Sequence, residues 1–390
     1  MQMTDTSRGN DGRRKLNILI MPSWYFSYRR DNVTTGIFHY EQAVDLQNYC
    51  NVAVYYPFDR TLEEDMVRHE DRGVLTYRSQ FHPKERIRNR IRIFRSFRRI
   101  REEFQPDIIF AHVAVEAGKY AAFLSDFYHI PLVLMEHSST EVSLAGKVGY
   151  YISKYVYGHC DYIACCSENL KNNLQQFFPK LKFHVVYNGI QPADIVSGSG
   201  KNYRVEGVTN IVIVGLFYSI DIKGYQFLLP AMRQILDKGC PAVLHIVGEG
   251  EYREHYMQMA KELGIDKECI FYGDCPRDKV YEIVGQMDFF VSSSILECSG
   301  VSVQEAMLLG KPVLVTKSGG ANSLVTRDTA IVVDKGSTQA LAEGLEEMIR
   351  RYGEFDTEKI KEYAENKFEI SHISRQYMEI FYDLACKDSK

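Results

Sequence analysis

Short apolar runs alternate with longer segments of helical periodicity along almost the whole chain, and this alternation restricts the fold more than any other feature. In the first half the apolar runs are nearly continuous and rich in β-branched residues, as expected for strands buried on both faces. Strands that alternate with helices indicate βαβ units and a parallel sheet. The predicted strands are 16–21, 52–56, 108–112, 132–136, 162–166 and 184–187, with helices at 37–49, 115–128 and 168–178.

The pattern lapses around residues 189–207, where the sequence reads QPAD and SGSG, a composition typical of a linker. It then restarts, with strands predicted at 210–214, 243–247, 270–272, 289–292, 313–316 and 330–333 and about three helices after residue 338. The fold class is therefore α/β, with two facing Rossmann-like domains, parallel sheets and a ligand in the cleft between them. The predicted organisation is a disordered tail (1–14), a first domain (15–190), a linker (191–207), a second domain (208–369) and a final helix (370–390) that packs back on the first domain.

The composition excludes several classes of protein but does not indicate a reaction. A chain of 390 residues with 45% apolar and 25% charged residues is neither a disordered nor a collagen-like protein. Nine cysteines without a CxxC pair give no zinc or redox motif, so reduced thiols are expected. The first 15 residues are polar, and no apolar run approaches the ~20 residues of a membrane span. We expect a cytoplasmic location.

Two glutamates lie eight positions apart in the second domain, Glu297 in the loop after a predicted strand and Glu305 in the following helix. Gly300 opens that helix, and the free N–H groups of a helix N-terminus form an anion site. The alternative is that both carboxylates are solvated and the glycine is only a cap. Other strand ends carry residues suited to phosphate or sugar binding: Gly215, Lys223, Gly248, Gly319 and Gly320.

These motifs, in this order, resemble the retaining GT-B glycosyltransferases of family 4. In the first domain, Trp24 and Tyr25 with Gly36 resemble the opening loop and first helix of that family, and His137 in the sequence EHSS resembles its histidine-bearing loop. The resemblance runs from residue 16 to the last helices. It is specific for fold and reaction type but not for the sugars used.

The resemblance implies a role for each matching residue. Glu305 would bind the ribose of a nucleotide, and Lys223 would neutralise the diphosphate leaving group. His137 would contact the donor sugar at the reacting centre, although a histidine that only caps a strand is the alternative. Gly36 would admit a phosphate or acceptor close to the backbone, and Trp24 or Tyr25 could stack on a sugar ring. The remaining donor contacts would come from Glu297, the backbone of Cys298, Ser299, Gly300 and Val301, and the glycines Gly215, Gly248, Gly319 and Gly320.

Two positions depart from the family pattern. Leu216 stands where the family usually has an arginine that pairs with the lysine on the diphosphate, and Ser323 stands where it usually has a glutamate. Both changes affect the donor site more than the fold. They leave open a different handling of the donor or a weakened activity.

Residues 84–101 contain nine basic residues and one acid, a net charge of +8 in a chain whose total is -4. Ile87, Ile91, Phe94, Phe97, Ile100 and Phe104 recur at helical spacing, which predicts a basic amphipathic helix whose apolar stripe packs inward. A solvated helix face and nucleic-acid binding are alternatives, but no nucleic-acid module accompanies the patch. We favour an electrostatic dock on anionic lipid, formed by Arg86, Arg90, Arg95, Arg98 and Arg99.

The predicted function is transfer of a sugar from a nucleotide-diphosphate donor to a glycan hydroxyl, lipid-linked, with retention at the anomeric carbon. No DxD-type motif is present in the expected context, so neither a metal nor another cofactor is predicted. A dinucleotide-dependent oxidoreductase or an epimerase would need GxGxxG after the first strand, where this chain has MPSWY. A non-catalytic sugar-nucleotide-binding partner of a glycosyltransferase complex remains the alternative.

Overall fold

The computed structural model describes residues 13–25, 36–191, 200–217 and 222–387. It divides into two compact units, Met1–Gly189 with Ile370–Lys390, and Ile190–Glu369. These divisions lie beside the predicted domain limits at residues 190 and 370. Residues 1–12 of the predicted tail and 192–199 of the predicted linker lie outside the described residues.

The described strands of the first unit form an eight-stranded sheet in the order β3-β4-β2-β1-β5-β6-β7-β8. Every pairing is parallel except that of β3 with β4. The central strands are apolar and fully buried because helices cover both faces of a parallel sheet. The elements are β1 (Asn17–Met21), α1 (Ile37–Leu46), β2 (Asn51–Asp59), β3 (Met66–Asp71), β4 (Val74–Gln80), α2 (Arg86–Glu103), β5 (Ile108–His112), a π-helical segment (Val113–Gly118), α3 (Lys119–Tyr128), β6 (Leu132–Glu136), α4 (Thr140–Ser143), α5 (Gly146–His159), β7 (Tyr162–Cys165), α6 (Glu168–Phe177) and β8 (His184–Val185).

The hairpin of β3 and β4 is the part of this sheet that the sequence did not predict. Its turn is Arg72–Gly73, and both residues have positive φ, the geometry of a two-residue hairpin turn. The edge strand β3 reads MVRHED and is largely polar, so it lacks the apolar run by which the other strands were recognised.

The described strands of the second unit form a six-stranded parallel sheet in the order β11-β10-β9-β12-β13-β14. All six predicted strands are present, each within one residue of its predicted limits. The elements are β9 (Thr209–Val214), α7 (Tyr225–Asp237), β10 (Ala242–Val247), α8 (Arg253–Glu262), β11 (Cys269–Gly273), α9 (Arg277–Gln286), β12 (Phe289–Ser292), α10 (Val301–Leu308), β13 (Val313–Thr316), α11 (Gly320–Leu324), β14 (Ala330–Val333), α12 (Thr338–Arg351), a 3-10 turn (Tyr352–Glu354) and α13 (Thr357–Phe368).

The chain ends in α14 (Ile370–Lys387), which belongs to the first unit. Its Tyr377 and Phe381 pack on Phe110 of β5, with ring centroids 4.6 and 5.5 Å apart. Both rings are fully buried, so the first sheet obtains part of its cover from the far end of the chain. The predicted fold class, two α/β domains with parallel sheets, is confirmed.

None of the nine cysteines, all of which lie in the described ranges, forms a disulfide. Within the described residues, no helix is both long and apolar enough to cross a membrane.

One buried charge ties the unpredicted hairpin to the sheet. The Arg78 side chain on β4 is fully buried, and its guanidinium pairs with Asp59 on β2 at 3.2 Å and with Asp71 on β3 at 2.9 Å. Such a pair stabilises little relative to an apolar replacement, but removing one partner leaves buried charge uncompensated.

Arg78→Ala is therefore expected to lower the free energy of unfolding by about 3–5 kcal/mol, because two carboxylates lose their common partner. Urea denaturation followed by circular dichroism measures this change. Arg68→Ala is the control, since Arg68 on β3 pairs with Glu103 while exposed to solvent. Equal losses from both variants would contradict the structural role of Arg78.

Candidate functional site

An ion pair lies at the carboxyl ends of β9 and β12. The Lys223 ammonium donates to Glu297 Oε2 at 2.7 Å, and both side chains are partly buried. Glu297 Oε1 accepts the Gly300 N–H at 3.2 Å, at the start of α10. Lys223 and Glu297 are 74 positions apart and meet because parallel strands end at the same edge of the sheet.

The loop that carries Glu297 is fixed by the neighbouring loop after β13. Glu297 N–H donates to Ser318 O at 3.1 Å, and Gly320 N–H donates to Glu297 O at 2.6 Å. Gly319 N–H donates to Asn322 Oδ1 at 2.8 Å. The amides of Gly319 and Gly320 both have partners within the protein, and that of Gly320 helps to position Glu297.

Helix α10 supplies both the free amides and the second glutamate. Gly300 caps it with φ of 74°, a conformation that favours glycine. Within the described part of the chain, the N–H groups of Val301 and Ser302 have no hydrogen-bond partner, as is usual in a first helical turn. Cys298 and Ser299 lie in the loop immediately before the cap.

Glu305 has two partners that sequence reasoning missed. Its Oε1 accepts the Tyr281 hydroxyl at 2.9 Å and the Arg277 guanidinium at 3.1 Å, both from α9. Burial raises the pKa of Tyr281, and the charge of Glu305 raises it further, so the phenol remains a donor. The sequence signal was present in the spacing of Arg277 and Tyr281, one helical turn apart, but nothing connected them to Glu305.

The predicted glycines at the ends of β9 and β10 allow two loops to touch. A Cβ on Gly248, whose φ is 149°, would lie 1.9 Å from Gly215 O. The two strand ends are also joined through the Gly215 N–H, which donates to the O atom of Val247, the residue before Gly248, at 3.0 Å. These glycines therefore have a packing role that is independent of any ligand.

The two departures from the family pattern lie near these loops. Leu216 follows β9 and is 53% exposed. Ser323 lies in α11 and its hydroxyl donates to Gly320 O at 2.6 Å.

Three histidines meet in the first unit at the ends of α1, β5 and β6. His112 Nδ1 and His137 Nε2 are 2.9 Å apart, and the two rings are nearly parallel. The His39 ring crosses that of His112 at 75° with centroids 4.3 Å apart. His39 is fully buried, and neither ring nitrogen has a hydrogen-bond partner among the described residues. The sequence predicted His137 as a site residue, and His39 was not among the predicted site residues.

Burial keeps all three imidazoles neutral. It lowers the pKa of His137 to about 4, although a hydrogen bond that the ring donates to Asn188 opposes the shift. Burial also lowers the pKa of His39 and of His112 well below 6.5, and each is lowered further by its histidine neighbours. A neutral ring can donate one hydrogen bond and accept one, and the bond between His112 and His137 uses one nitrogen of each ring.

The backbone beside these histidines is strained. Val113, directly after β5, has φ of 66°, an outlier for a β-branched residue, and it begins the π-helical segment. The buried Glu136 carboxylate holds this turn to the His137 loop by accepting the N–H of Ala114 at 3.1 Å and of His137 at 3.1 Å. Strain of this kind persists where the surroundings fix it, and it is concentrated at functional sites.

The predicted acceptor loop is only partly suited to its proposed role. Trp24 lies beside this cluster, with its ring 6.3 Å from that of His137. Tyr25 is only 4% exposed, and its ring packs against the Arg78 guanidinium at 5.2 Å, which leaves little room to stack on a sugar. Gly36 has φ of 78°, and a Cβ there would lie 2.8 Å from Trp24 O, so the close approach is to this loop.

Helix α2 is the predicted basic helix, but its apolar stripe does not all pack inward. Phe97 and Ile100 are fully buried, whereas Ile91 is exposed and Ile87 is 75% exposed. Residues on an α-helix rotate by 100° per position, and the buried face instead follows Asn89, Ile93, Ser96, Phe97 and Ile100. The inward packing predicted for Ile87 and Ile91 is therefore wrong. The five predicted patch arginines are exposed: Arg86, Arg90, Arg95, Arg98 and Arg99.

The sequence predicted no metal site. In the described ranges, one group of three possible metal ligands occurs, the ring nitrogens of His39, His112 and His137, all within 4.8 Å of one another. The bond between His112 and His137 already satisfies two of these nitrogens, and a cation held by both rings would have to replace it.

The two halves of the chain match two protein-family models. Residues 209–367 match "Glycosyl transferases group 1", and residues 42–194 match "Glycosyltransferase Family 4". Each half therefore matches a glycosyltransferase model, as the resemblance implied.

Named relatives agree with this assignment. An uncharacterized glycosyltransferase of Methanocaldococcus jannaschii is 28% identical over 67% of this chain and 71% of its own length. The Streptococcus pneumoniae protein named alpha-monoglucosyldiacylglycerol synthase is 22% identical over 68% of this chain and 64% of its own length. TuaC of Bacillus subtilis, a glycosyltransferase named for teichuronic acid biosynthesis, is 26% identical over 80% of this chain and 84% of its own length. This chain spans less than two thirds of several relatives that it matches.

Solved structures share the fold at low sequence identity. Sucrose-phosphate synthase from Thermosynechococcus elongatus aligns with a TM-score of 0.78 and 16% identity over 95% of this chain and all of that one. Anabaena HepE, solved with UDP, aligns with a TM-score of 0.71 and 19% identity over 94% of this chain and all of that one. These likenesses support the GT-B fold class.

The neutral histidines predict a dependence of stability on pH. The folded-state pKa of His39 lies below its unfolded value, so the unfolded chain binds a proton first as the pH falls below about 6.5. The stability contributed by the neutral ring is present above this pH and is lost as the pH falls. His39→Gln should reduce the slope of unfolding free energy against pH by about 1.4 kcal/mol per unit between pH 6.5 and 5. Urea denaturation at successive pH values measures the slope, with exposed His255→Gln as control. An unchanged slope in His39→Gln would contradict the burial of a neutral ring.

Proposed function

We propose that the chain transfers a sugar from a nucleoside-diphosphate donor to a hydroxyl of a lipid-linked glycan, with retention at the anomeric carbon, in cell-surface polysaccharide biosynthesis. The second unit binds the donor, and the first unit binds the acceptor. The observation that carries the proposal is the constellation of Lys223, Glu297 and the α10 N-terminus, with Glu305 on the same helix.

Each part of this constellation suits a different part of the donor. The Lys223 ammonium supplies positive charge for the diphosphate, as do the free amides at the start of α10. Glu297 then accepts hydrogen bonds from the donor sugar, while its pairing with Lys223 at 2.7 Å orients the carboxylate. Glu305, held by Arg277 and Tyr281, accepts two hydrogen bonds from the vicinal hydroxyls of a ribose.

Retention follows from the proposed front-face route, in which the leaving phosphate helps to deprotonate the acceptor hydroxyl. His137 acts in this proposal as a neutral hydrogen-bonding group on the donor sugar and not as a cation, because burial lowers its pKa to about 4. The positive charge that stabilises the leaving group comes from Lys223 and helix N-termini. We propose that no metal or other cofactor takes part.

The names of relatives support the donor, the acceptor class and the pathway. HepE has been solved with UDP and glucose, TuaC is named for teichuronic acid biosynthesis, and the Streptococcus pneumoniae relative is named as a synthase of a glucosyl lipid. A lipid-linked acceptor lies in a membrane, so we propose a cytoplasmic enzyme that binds the inner membrane face through the arginines of α2.

A second candidate is a non-catalytic or weakly active sugar-nucleotide-binding partner of a glycosyltransferase complex. The exposed Leu216 favours it, since the family usually places an arginine there on the diphosphate. Binding of a nucleotide sugar without turnover, in the presence of acceptor, would select this candidate.

The donor site is tested with substitutions at its two anchors. A thermal-shift screen against nucleotide sugars first identifies the donor that stabilises the protein most. Glu305→Gln should weaken the binding of that donor about tenfold, because charge-assisted hydrogen bonds are lost. Lys223→Met should lower kcat about 100-fold or more, because it removes charge stabilisation from the leaving group. Glu343→Gln on the exposed face of α12 is the matched control. Wild-type binding and turnover in both site variants would refute the assignment.

Independence from metal is a separate prediction. Dialysis against a chelator should leave the transfer rate and the donor affinity unchanged, because Lys223 and the α10 amides supply the positive charge. The rate before and after chelation, and after return of Mg²⁺, Mn²⁺ or Zn²⁺, is the measurement. A loss on chelation that one of these ions restores would contradict the proposal and point to the histidine cluster.

A further inference from the structure

An apolar groove of about 1000 Å³ runs between α2, α3 and α5 of the first unit, at a distance in sequence from every residue of the donor site. Three helices contribute apolar side chains to it at one- and two-turn spacing. They are Ile91, Ile93 and Phe94 from α2, Tyr120, Phe123, Leu124 and Phe127 from α3, and Val148, Tyr151, Ile152 and Tyr155 from α5.

The groove exposes an unusual amount of apolar surface. Phe127 is 56% exposed and Val148 is 73% exposed, and Ile91, Phe123, Tyr151 and Tyr155 are also exposed. Single exposed apolar side chains are common, whereas a contiguous group of this size marks an interaction surface. The rings are already ordered, since Phe94 packs edge-on against Phe127 with centroids 5.0 Å apart.

The rim of the groove is basic. Arg90, Arg95, Arg98, Lys119 and Lys147 line it, and none of the described lining residues is acidic. No ion pair of Arg90, Arg95 or Arg98 occurs among the described residues, and no described residue that lines the groove carries a carboxylate to neutralise them. Three of the five predicted patch arginines thus border the groove, and Arg86 and Arg99 do not.

We infer that the face of α2, α3 and α5 that carries this groove inserts into the interfacial region of an anionic membrane. Its apolar side chains would lie among the acyl chains and its basic rim on the lipid head groups. An apolar floor with a cationic border is the pattern of proteins that lie in a membrane interface. Tyrosines such as Tyr151 and Tyr155 suit the same depth, where one end of the ring is apolar and the other is wet.

Charge distinguishes this occupant from a second copy of the chain. A two-fold dimer through the groove would place the arginine rims of both copies against each other, with no acidic group in the described lining to neutralise them. The inference extends the proposed membrane attachment and rests on it, but it does not depend on the transfer reaction. In this inference the attachment to the membrane is not purely electrostatic, because apolar side chains also contribute to it.

Sedimentation with vesicles separates the two components. Vesicles of phosphatidylcholine with phosphatidylglycerol are mixed with the full chain at low and at high salt, where screening shortens the Debye length to about 3 Å at 1 M. A bound fraction should persist at high salt. Phe127→Ser with Val148→Ser should weaken vesicle binding about tenfold or more, because two apolar groups no longer enter the acyl region. Phe177→Ser, an equally exposed phenylalanine on α6, should bind as the wild type does.

A reporter tests insertion without relying on a destabilising change. Phe127→Trp should shift its emission to the blue on vesicles and be quenched by brominated acyl chains, whereas Phe177→Trp should show neither effect, each after subtraction of the Trp24 signal. Unfolding curves and donor-induced thermal shifts show that each variant is folded.

The outcomes separate the inference from the proposed function. In one outcome, the double variant Arg95→Gln with Arg98→Gln abolishes vesicle binding, while the apolar variants and Phe127→Trp behave like the Phe177 controls. The groove inference is then overturned and the electrostatic dock remains. If the wild-type chain does not bind vesicles at all, the groove inference and the electrostatic dock are both overturned, whereas the proposed sugar transfer is not. The groove inference is also overturned if the chain forms a dimer without lipid that requires Phe127. It is overturned as well if an RNA oligonucleotide displaces the vesicles.

Discussion

Burial of parallel strands on both faces is the constraint on which the structure of each unit depends. It requires apolar strands and covering helices, and it gathers the loops after the strands along one edge. Lys223 and Glu297 are paired at 2.7 Å because each follows a strand that ends at that edge. The same geometry brings His112, at the end of β5, to His137, just beyond β6. The chemistry of both sites is therefore a consequence of sheet topology.

Desolvation gives the two sites different electrostatic characters. In the first unit, burial removes the charge of three histidines, so the cluster works as a set of neutral hydrogen-bonding rings. In the second, Lys223 keeps a partly exposed partner of opposite charge, and the α10 amides add to the positive potential.

The first unit also shows why total charge is a poor guide to function. The chain as a whole is nearly neutral, yet α2 presents arginines beside an apolar groove. Attraction to an anionic surface acts within about a Debye length, roughly 8–10 Å at ordinary ionic strength. An anionic surface therefore interacts with the charges of the local patch and not with the net charge of the chain. In the proposed membrane attachment, the apolar side chains of the groove add a part of the binding free energy that salt does not screen.

The sequence by itself determined the elements whose signal is local: the buried strands, the Glu297–Glu305 spacing, the glycines at strand ends and the basic helix. Periodicity and turn chemistry are readable along the chain. Tertiary structure alone decided which residues meet. It paired Arg277 and Tyr281 with Glu305, added His39 to the histidine cluster, covered Tyr25 and turned Ile91 towards the groove. Contacts between residues distant in sequence depend on how elements pack, and one sequence carries no local signal for that.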